Sequence, residues 1–341
     1  MIKIAIIGAG KVAENFHIPA WKKIKNIEVV GIVDSNIIKA KKLAKKHSIK
    51  NTAENIDTLL KLIKVDAVDV CTSNFTHSQL ILRCIKNKLH VLCEKPFVLN
   101  YKDIGKITQV SKKNKVVCLS AQHQRYRFPS IQLKNILNKN KLGKIYAIHI
   151  ESLSSFSDAI QNINFYKRKN SGGGPLMDLG SHFIDLLLWL LKNKKVNSVA
   201  AFSSFALSKY LKKKKMINKE SDIEDYSKGF IRFNDNLTVS FEFSYLLNSN
   251  IRKSQKITFH GTKQTLIWPD MTSKKIFKKN SYFKEKEKEK ASILMLKNFT
   301  NLIMTKQYHN KDLKITKNTL KIIKLLYDSI KKGKEVKFEN I

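Results

Sequence analysis

Three residues in this chain have types and neighbours suited to moving a proton from an alcohol: Lys95, Asp178 and His182. Lys95 lies in Cys93-Glu94-Lys95-Pro96, just past the apolar run Leu89 to Leu92, which reads as a buried strand. A lysine at the carboxyl end of a parallel strand stands where open α/β sheets bind their ligands. Pro96 pushes Lys95 out of helical geometry and admits a cis bond. Asp178 and His182 are four residues apart on Leu176 to Leu191, a segment with helical character, so both side chains share one face. An imidazole that titrates near neutrality can accept a hydroxyl proton, and an ammonium can stabilise the alkoxide character that develops.

Other elements must position these groups. Ile2 to Ile7 alternates little and is rich in β-branched isoleucine, which suits a buried parallel strand. Gly8-Ala9-Gly10-Lys11-Val12-Ala13 follows at once and opens a helical pattern through Ile24. In a strand, glycine turn and helix of this kind, Gly8 allows the tight turn and Gly10 lets backbone approach a pyrophosphate. Ala13 lets the helix pack closely on the strand. A second strand, Glu28 to Val33, ends in Asp34, where a carboxylate can accept from the ribose hydroxyls of NAD and would repel a 2′-phosphate. Ser35 and Asn36 follow, with no arginine beside Asp34, so the expected cofactor is NAD and NADP is less favoured. Lys95, Asp178 and His182 are then expected to act over the nicotinamide of the cofactor held by this turn.

Further βα units continue the pattern. Asp66 to Cys71 reads as a strand with Thr72 to His77 as its exit loop, and Thr76 to Ile85 as a helix. Leu89 to Cys93 is the strand that delivers Lys95, Asn100 caps a helix to Ser111, and Val116 to Ser120 is a sixth strand. From about residue 122 the pattern changes to longer strands with polar alternation: Lys144 to Ser152, Val196 to Phe205, Tyr226 to Phe233, Leu237 to Tyr245, Lys256 to His260 and Gln264 to Trp268. Asn234-Asp235-Asn236 and Gly261-Thr262 read as hairpin turns. Lys284 to Lys290 reads as a solvated loop or helix start, and amphipathic helices are expected at Ser292 to Met304 and Thr316 to Lys331. The expected fold is α/β: a Rossmann doubly wound parallel sheet over residues 1–121, then an α/β domain over 122–341. The second domain would have a large, mostly antiparallel open sheet, with one face packed by helices and the other free to pair with a second subunit.

Composition narrows the function classes. A length of 341 residues favours two domains, and 43% hydrophobic residues provide for sizeable cores. Cys71, Cys84, Cys93 and Cys118 form no close pair, so neither a metal site nor a disulfide framework is expected. No apolar run is long enough to span a bilayer and the first residues do not read as a signal peptide, which points to the cytoplasm. The formal net charge of +38 comes almost wholly from lysine, with arginine only at 83, 125, 127, 168, 232 and 252. Base reading leans on arginine and no basic stretch forms a recognised nucleic-acid motif, so neither nucleic acid nor membrane is an expected partner. The charge could still help attract an anionic substrate.

With these residues assembled, the chain resembles the Gfo/Idh/MocA family of NAD(P)-dependent oxidoreductases over essentially its whole length. Gly8 to Ala13 matches the family's glycine turn, Thr72-Ser73-Asn74 with His77 resembles its TPN-x-x-H loop, and Glu94-Lys95-Pro96 is its EKP motif. Gly172-Gly173-Gly174-Pro175-Leu176-Met177-Asp178-Leu179-Gly180-Ser181-His182 is similar to its GGG-x-x-x-D-x-G-x-H signature. Ser73 departs from the family, which usually has proline there. The resemblance implies oxidation of a secondary alcohol on a sugar, cyclitol or sugar derivative, with His182 as base, Lys95 orienting the hydroxyl and Asp178 binding substrate or orienting the base. It implies that Thr72, Asn74, His77, Glu94, Lys95 and Gln122 join Gly8, Gly10, Lys11, Val12, Ala13 and Asp34 at the cofactor. Arg125, Tyr126, Tyr166 and Arg168 are candidate substrate-side residues beside Lys95, Asp178 and His182. A homodimer or homotetramer built on the second domain's sheet is also implied. Family members that recycle the bound cofactor, and non-catalytic sensors on the same fold, are the alternatives; His17 and the cysteines read as structural.

Overall fold

The computed structural model describes residues 1–155, 167–192, 194–215, 221–250, 253–275, 278–282, 289–308 and 312–339. The expected substrate-side Tyr166, and the run Lys284 to Lys290 up to residue 288, lie outside them. The chain divides into two compact units, Met1–Tyr126 with Lys288–Lys317, and Arg127–Glu287 with Asn318–Ile341.

In the first unit six strands form a parallel sheet: β1 (Ile2–Ile7), β2 (Ile27–Val33), β3 (Asn51–Ala53), β4 (Ala67–Val70), β5 (His90–Cys93) and β6 (Cys118–Ser120). Their order, β3-β2-β1-β4-β5-β6, is doubly wound, with the direction of winding reversing between β1 and β4. Ligands bind such sheets outside the carboxyl ends of the strands at that reversal. β4 is buried at every position, which is why its sequence shows no polar alternation.

The first helix differs from its expected form. Ala13–His17 is a π-helical turn, followed by a short α-helix at Ile18–Trp21. Pro19 has no N–H to donate to the preceding turn, so the ladder widens there and Ile18 N–H reaches back to the Ala13 carbonyl. The helix expected from Asn100 begins instead at Asp103, because the Asn100 carboxamide accepts from Lys102 N–H and closes a turn before it. Helix Ala291–Met304 packs in the first unit, although the sequence places all of 122–341 in the second domain. Its apolar stripe of Ile293, Leu296 and Phe299 shares a core with Ile4, Ile6, Trp21, Ile32 and Leu92, and the Phe299 and Trp21 rings meet edge to face at 6.3 Å.

The second unit holds β7 (Ile145–Ser155), β8 (Val196–Ser204), β9 (Tyr226–Phe233), β10 (Thr238–Leu247), β11 (Lys253–Gly261), β12 (Thr265–Trp268), β13 (Thr272–Lys275), β14 (Lys278–Tyr282) and β15 (Val336–Lys337). These described strands form one sheet in the order β14-β13-β12-β11-β7-β10-β9-β8-β15. Only β7 and β10 run parallel; the other neighbours are antiparallel. Val199, Ile231, Phe241, Ile150 and Ile257 line the buried face, where Phe183 of helix Gly180–Leu190 packs on Phe243 and Trp268. On the opposite face Phe202, Lys228, Glu242, Glu151 and Lys256 stand in one cross-strand row. Ion pairs Lys228–Glu242 at 3.4 Å and Lys256–Glu151 at 3.2 Å lie within that row. Alternation of apolar and polar residues along each strand divides the two faces. The hairpin at Asn234 to Asn236 takes the expected form, with Asn236 at φ 64°.

Candidate active site

The glycine turn follows β1 directly. Gly8 has φ +106°, and a Cβ there would meet the Cys71 carbonyl carbon and oxygen at 2.7 Å, so only glycine lets β1 pass this close to the end of β4. Gly10 is the reverse case: a Cβ would meet nothing within 4 Å. Gly10, Lys11 and Val12 are exposed while Ala13 is buried, which leaves an open helix entrance able to receive a diphosphate. Asp34, after β2, sits beside this turn. Its carboxylate accepts from Ala9 N–H at 2.8 Å and from Asn36 N–H at 2.8 Å. These residues therefore fit a dinucleotide: an uncrowded glycine backbone, a helix start, and a carboxylate oriented by two amides.

Next along the strand ends are the β4 and β5 loops. His77 is fully buried, and its ring nitrogens lie 2.9 Å from the Pro96 carbonyl and 3.1 Å from the Thr72 carbonyl. This imidazole lies between the loop after β4 and the loop after β5; burial lowers its pKa against the raising effect of the two carbonyls, and in the neutral ring only one of the two nitrogens donates. Thr72 and Thr76 exchange a hydroxyl hydrogen bond at 2.7 Å, and Asn74 opens the short 3₁₀ turn between them. The Lys95–Pro96 bond is cis, and Lys95 and Glu94 are partly exposed at the end of β5.

Glu94 is held on both oxygens. Oε2 accepts from Lys95 N–H at 2.9 Å, and Oε1 lies 2.8 Å from His17 Nε2. His17 Nδ1 lies 2.7 Å from Asp69 Oδ2, which also accepts from Trp21 Nε1–H at 2.7 Å. Burial opposes ionisation of Glu94, but the hydrogen bond and charge of His17 outweigh it and lower its pKa to about 2. His17, Asp69 and Cys71 bring potential metal-ligand atoms within 4.8 Å of one another, yet both ring nitrogens of His17 already face carboxylates.

In the second unit, Pro175–Asp178 and Gly180–Leu190 are two helical segments joined through Leu179, whose φ −77° and ψ −41° continue the helix. Asp178 and His182 therefore keep the expected i, i+4 relation on one face. At the junction His182 N–H donates to the Leu179 carbonyl at 3.0 Å, and the Ser181 hydroxyl takes the Asp178 carbonyl at 3.0 Å. His182 is 8% exposed and Asp178 half-buried. Burial first, and then the charge and hydrogen bond of Asp178, hold the Tyr245 phenol well above its ordinary pKa. Tyr245 therefore remains protonated and donates to the Asp178 carboxylate.

The glycines before this helix make room for another carboxylate. Glu224 Oε1 accepts from Gly174 N–H at 3.0 Å, Leu176 N–H at 3.2 Å and the Tyr327 hydroxyl at 2.8 Å. An anion at a helix start satisfies amides that have no partner within the helix. Arg168, one of the expected substrate-side residues, approaches Glu224 Oε2 at 3.3 Å and lies over the Tyr327 ring at 4.8 Å. Arg125 and Tyr126, also expected there, are tied to the closing segment of their own unit: Arg125 Nη1 is 2.9 Å from Asp312 Oδ1, and the Tyr126 hydroxyl accepts from Asn298 Nδ2–H at 2.9 Å. Gln122 is buried, with its N–H on the Ser120 carbonyl at 2.8 Å and its own carbonyl accepting from Arg125 N–H.

Residues 2–123 match the family model "Oxidoreductase family, NAD-binding Rossmann fold", and residues 130–267 match the "GFO/IDH/MocA C-terminal domain". The chain belongs to the Gfo/Idh/MocA oxidoreductase family. Its first unit is an NAD-binding Rossmann domain. Among Gfo/Idh/MocA relatives, D-glucoside 3-dehydrogenase of Escherichia coli K12 is 27% identical over 269 residues, covering 77% of this chain and 75% of the relative. Myo-inositol 2-dehydrogenase of Thermotoga maritima is 27% identical over 203 residues, 60% of this chain and 58% of the relative. The crystal structure of the WlbA dehydrogenase from Bordetella pertussis, in complex with NADH and UDP-GlcNAcA, shares the fold. Its TM-score is 0.80 at 19% identity, covering 100% of this chain and 99% of that one.

Ser73, the departure from the Gfo/Idh/MocA proline, has φ −70° and ψ 143°, the conformation a proline would impose. Sequence reasoning missed Asp69, Glu224, Tyr245 and Tyr327 as partners of the site, and placed His17 only as structural. Their contacts join residues distant in the chain, and no local pattern marks them, although Asp69, Tyr245 and Tyr327 lie within strands and a helix that the sequence predicts.

Proposed function

We propose that this chain is an NAD-dependent dehydrogenase that interconverts a secondary alcohol and a ketone on a sugar, cyclitol or sugar derivative, sugar nucleotides included. The observation that carries this reading is that Lys95 sits at the carboxyl end of β5, at the same end of the parallel sheet as the glycine turn after β1, while Asp178 and His182 share one helical face, each backed by its own buried network. Bound NAD supplies the hydride acceptor, nicotinamide C4. His182 takes the proton as the O–H bond breaks, and the C–H electron pair leaves the same carbon to complete the ketone. Lys95 orients the hydroxyl and stabilises negative charge on its oxygen, and Asp178, fixed by Tyr245, binds a neighbouring hydroxyl or orients the base. The names of the relatives, a glucoside dehydrogenase and an inositol dehydrogenase, support the substrate class.

The reading extends to a cytoplasmic homodimer or homotetramer that pairs through the solvent-facing side of the nine-stranded sheet. The row from Phe202 to Lys256 supports this, since its charges already neutralise one another and Phe202 is 56% exposed. Among the described residues no helix is long and apolar enough to cross a membrane.

The deciding experiment is a panel of sugars, cyclitols and nucleotide sugars incubated with enzyme and NAD, followed at the NADH absorbance and by product analysis. NADH formation with a ketone product supports the reading. Product without net NADH would assign cofactor recycling, and no turnover on any panel member would assign a sensor.

A further inference from the structure

His17 has an unusual setting for an imidazole. It is 4% exposed, with a carboxylate at each nitrogen: Asp69 at 2.7 Å from Nδ1 and Glu94 at 2.8 Å from Nε2. A neutral imidazole has one N–H and would turn a lone pair towards one of the two carboxylates. Two short contacts to acceptors are satisfied together by an imidazolium, which donates on both sides. The groups facing it come from three elements. Trp21, on its own helix, donates to Asp69; Asp69 and Cys71 come from the end of β4, with the Cys71 thiol 3.6 Å from Asp69 Oδ1; and Glu94 comes from the end of β5. Burial alone would lower the His17 pKa, but the Asp69 charge and hydrogen bond raise it well above the ordinary value. Glu94 has 18% of its side chain exposed and passes its orientation on to Lys95 N–H.

We propose that His17 is a positioning residue for the reaction: it clamps the Glu94 carboxylate at the end of β5 and, through it, the backbone that presents Lys95. This rests on the reading that Glu94 and Lys95 border the nicotinamide. Asp69 is the counter-ion that keeps the clamp charged, and Trp21 fixes Asp69. The π-helical turn at Ala13–His17 belongs to the same device, since it ends on the residue that must reach both strand ends.

The test has two arms on the full-length protein. In the first, ¹⁵N NMR of the histidines is recorded with and without NAD from pH 5 to 9, and His17 is assigned by its absence from His17→Gln. Protonation of both ring nitrogens is expected to persist well above the pH at which an ordinary histidine titrates; titration near the ordinary histidine value overturns the proposal. In the second, pH profiles of NAD affinity and of kcat/KM are compared for wild type and His17→Gln. Without the cation Glu94 returns from about 2 to at least its ordinary 4.5, so at pH 4.5 about half of it is protonated in the variant and almost none in wild type. The variant's loss relative to wild type is then about twofold larger at pH 4.5 than at pH 8. Superimposable profiles from a folded His17→Gln overturn the proposal. If no panel substrate turns over, the dehydrogenase reading fails, while the NMR arm and the NAD-affinity profile still decide the role of His17.

Discussion

Glu224 and Gly174 are fitted to each other. The Glu224 carboxylate accepts from Gly174 N–H at 3.0 Å, and a Cβ on Gly174 would come within 2.1 Å of the Glu224 carbonyl oxygen and 2.9 Å of its carboxyl carbon. One residue earlier, a Cβ on Gly173 would lie 1.9 Å from the Tyr327 hydroxyl. The glycine run ahead of Asp178 and His182 is therefore the space in which a buried acid and a phenol hold the start of the helix.

Gly174→Ala is expected to lower stability by about 1–3 kcal/mol through overpacking against backbone that cannot move aside. Glu224→Ala leaves the Gly174 and Leu176 amides without their acceptor, at about 1–3 kcal/mol per orphaned group. Urea unfolding of each variant checks this. Wild-type stability in either would remove Glu224 as the cap of this helix.

Lys95→Ala and His182→Ala are expected to bind NAD as wild type does while kcat falls by about 10²-fold or more. Titration calorimetry with NAD and steady-state rates on the substrate found in the panel separate the two effects. Near-normal turnover in either variant refutes the role assigned to that residue.

Replacing Asp34 with alanine takes away the acceptor that Ala9 and Asn36 orient beside the glycine turn. A hydrogen bond to a charged group contributes about 1.5–3 kcal/mol, so NAD affinity should fall by about tenfold to a hundredfold. NADP affinity should fall less or improve, because a repelling charge is gone. Parallel titrations with the two cofactors measure this; an unchanged NAD:NADP ratio would sink the assignment.

The pH dependence of stability follows from the His17–Glu94 pair. Glu94, with a folded pKa of about 2 against an ordinary 4.5, contributes stability that is complete above about pH 4.5 and is lost as pH falls towards 2. His17, raised above its ordinary 6.5, contributes below that value and loses its contribution as pH rises through the raised pKa. The stability difference between wild type and His17→Gln should therefore be largest between pH 4.5 and 6.5 and shrink towards pH 2. Urea midpoints at pH 2.5, 5.5 and 8 test it, and a difference independent of pH would contradict it.

Much of the candidate site was legible in the sequence because its signals are local. The glycine turn, Asp34 after the second strand, Lys95 at the end of a strand and the four-residue spacing of Asp178 and His182 each follow from backbone geometry over a few residues. Alternation of apolar and polar positions likewise marked the long strands of the second unit. Tertiary structure alone decided the clamp on Glu94, where His17 meets carboxylates 52 and 77 residues away. It also decided the seat of Glu224 beneath glycines 50 residues before it and the return of helix Ala291–Met304 to the first unit's core. Such contacts depend on which strand ends and helix starts the fold brings side by side. A single glutamate or histidine in a sequence carries no periodic trace of the partner that burial will force upon it.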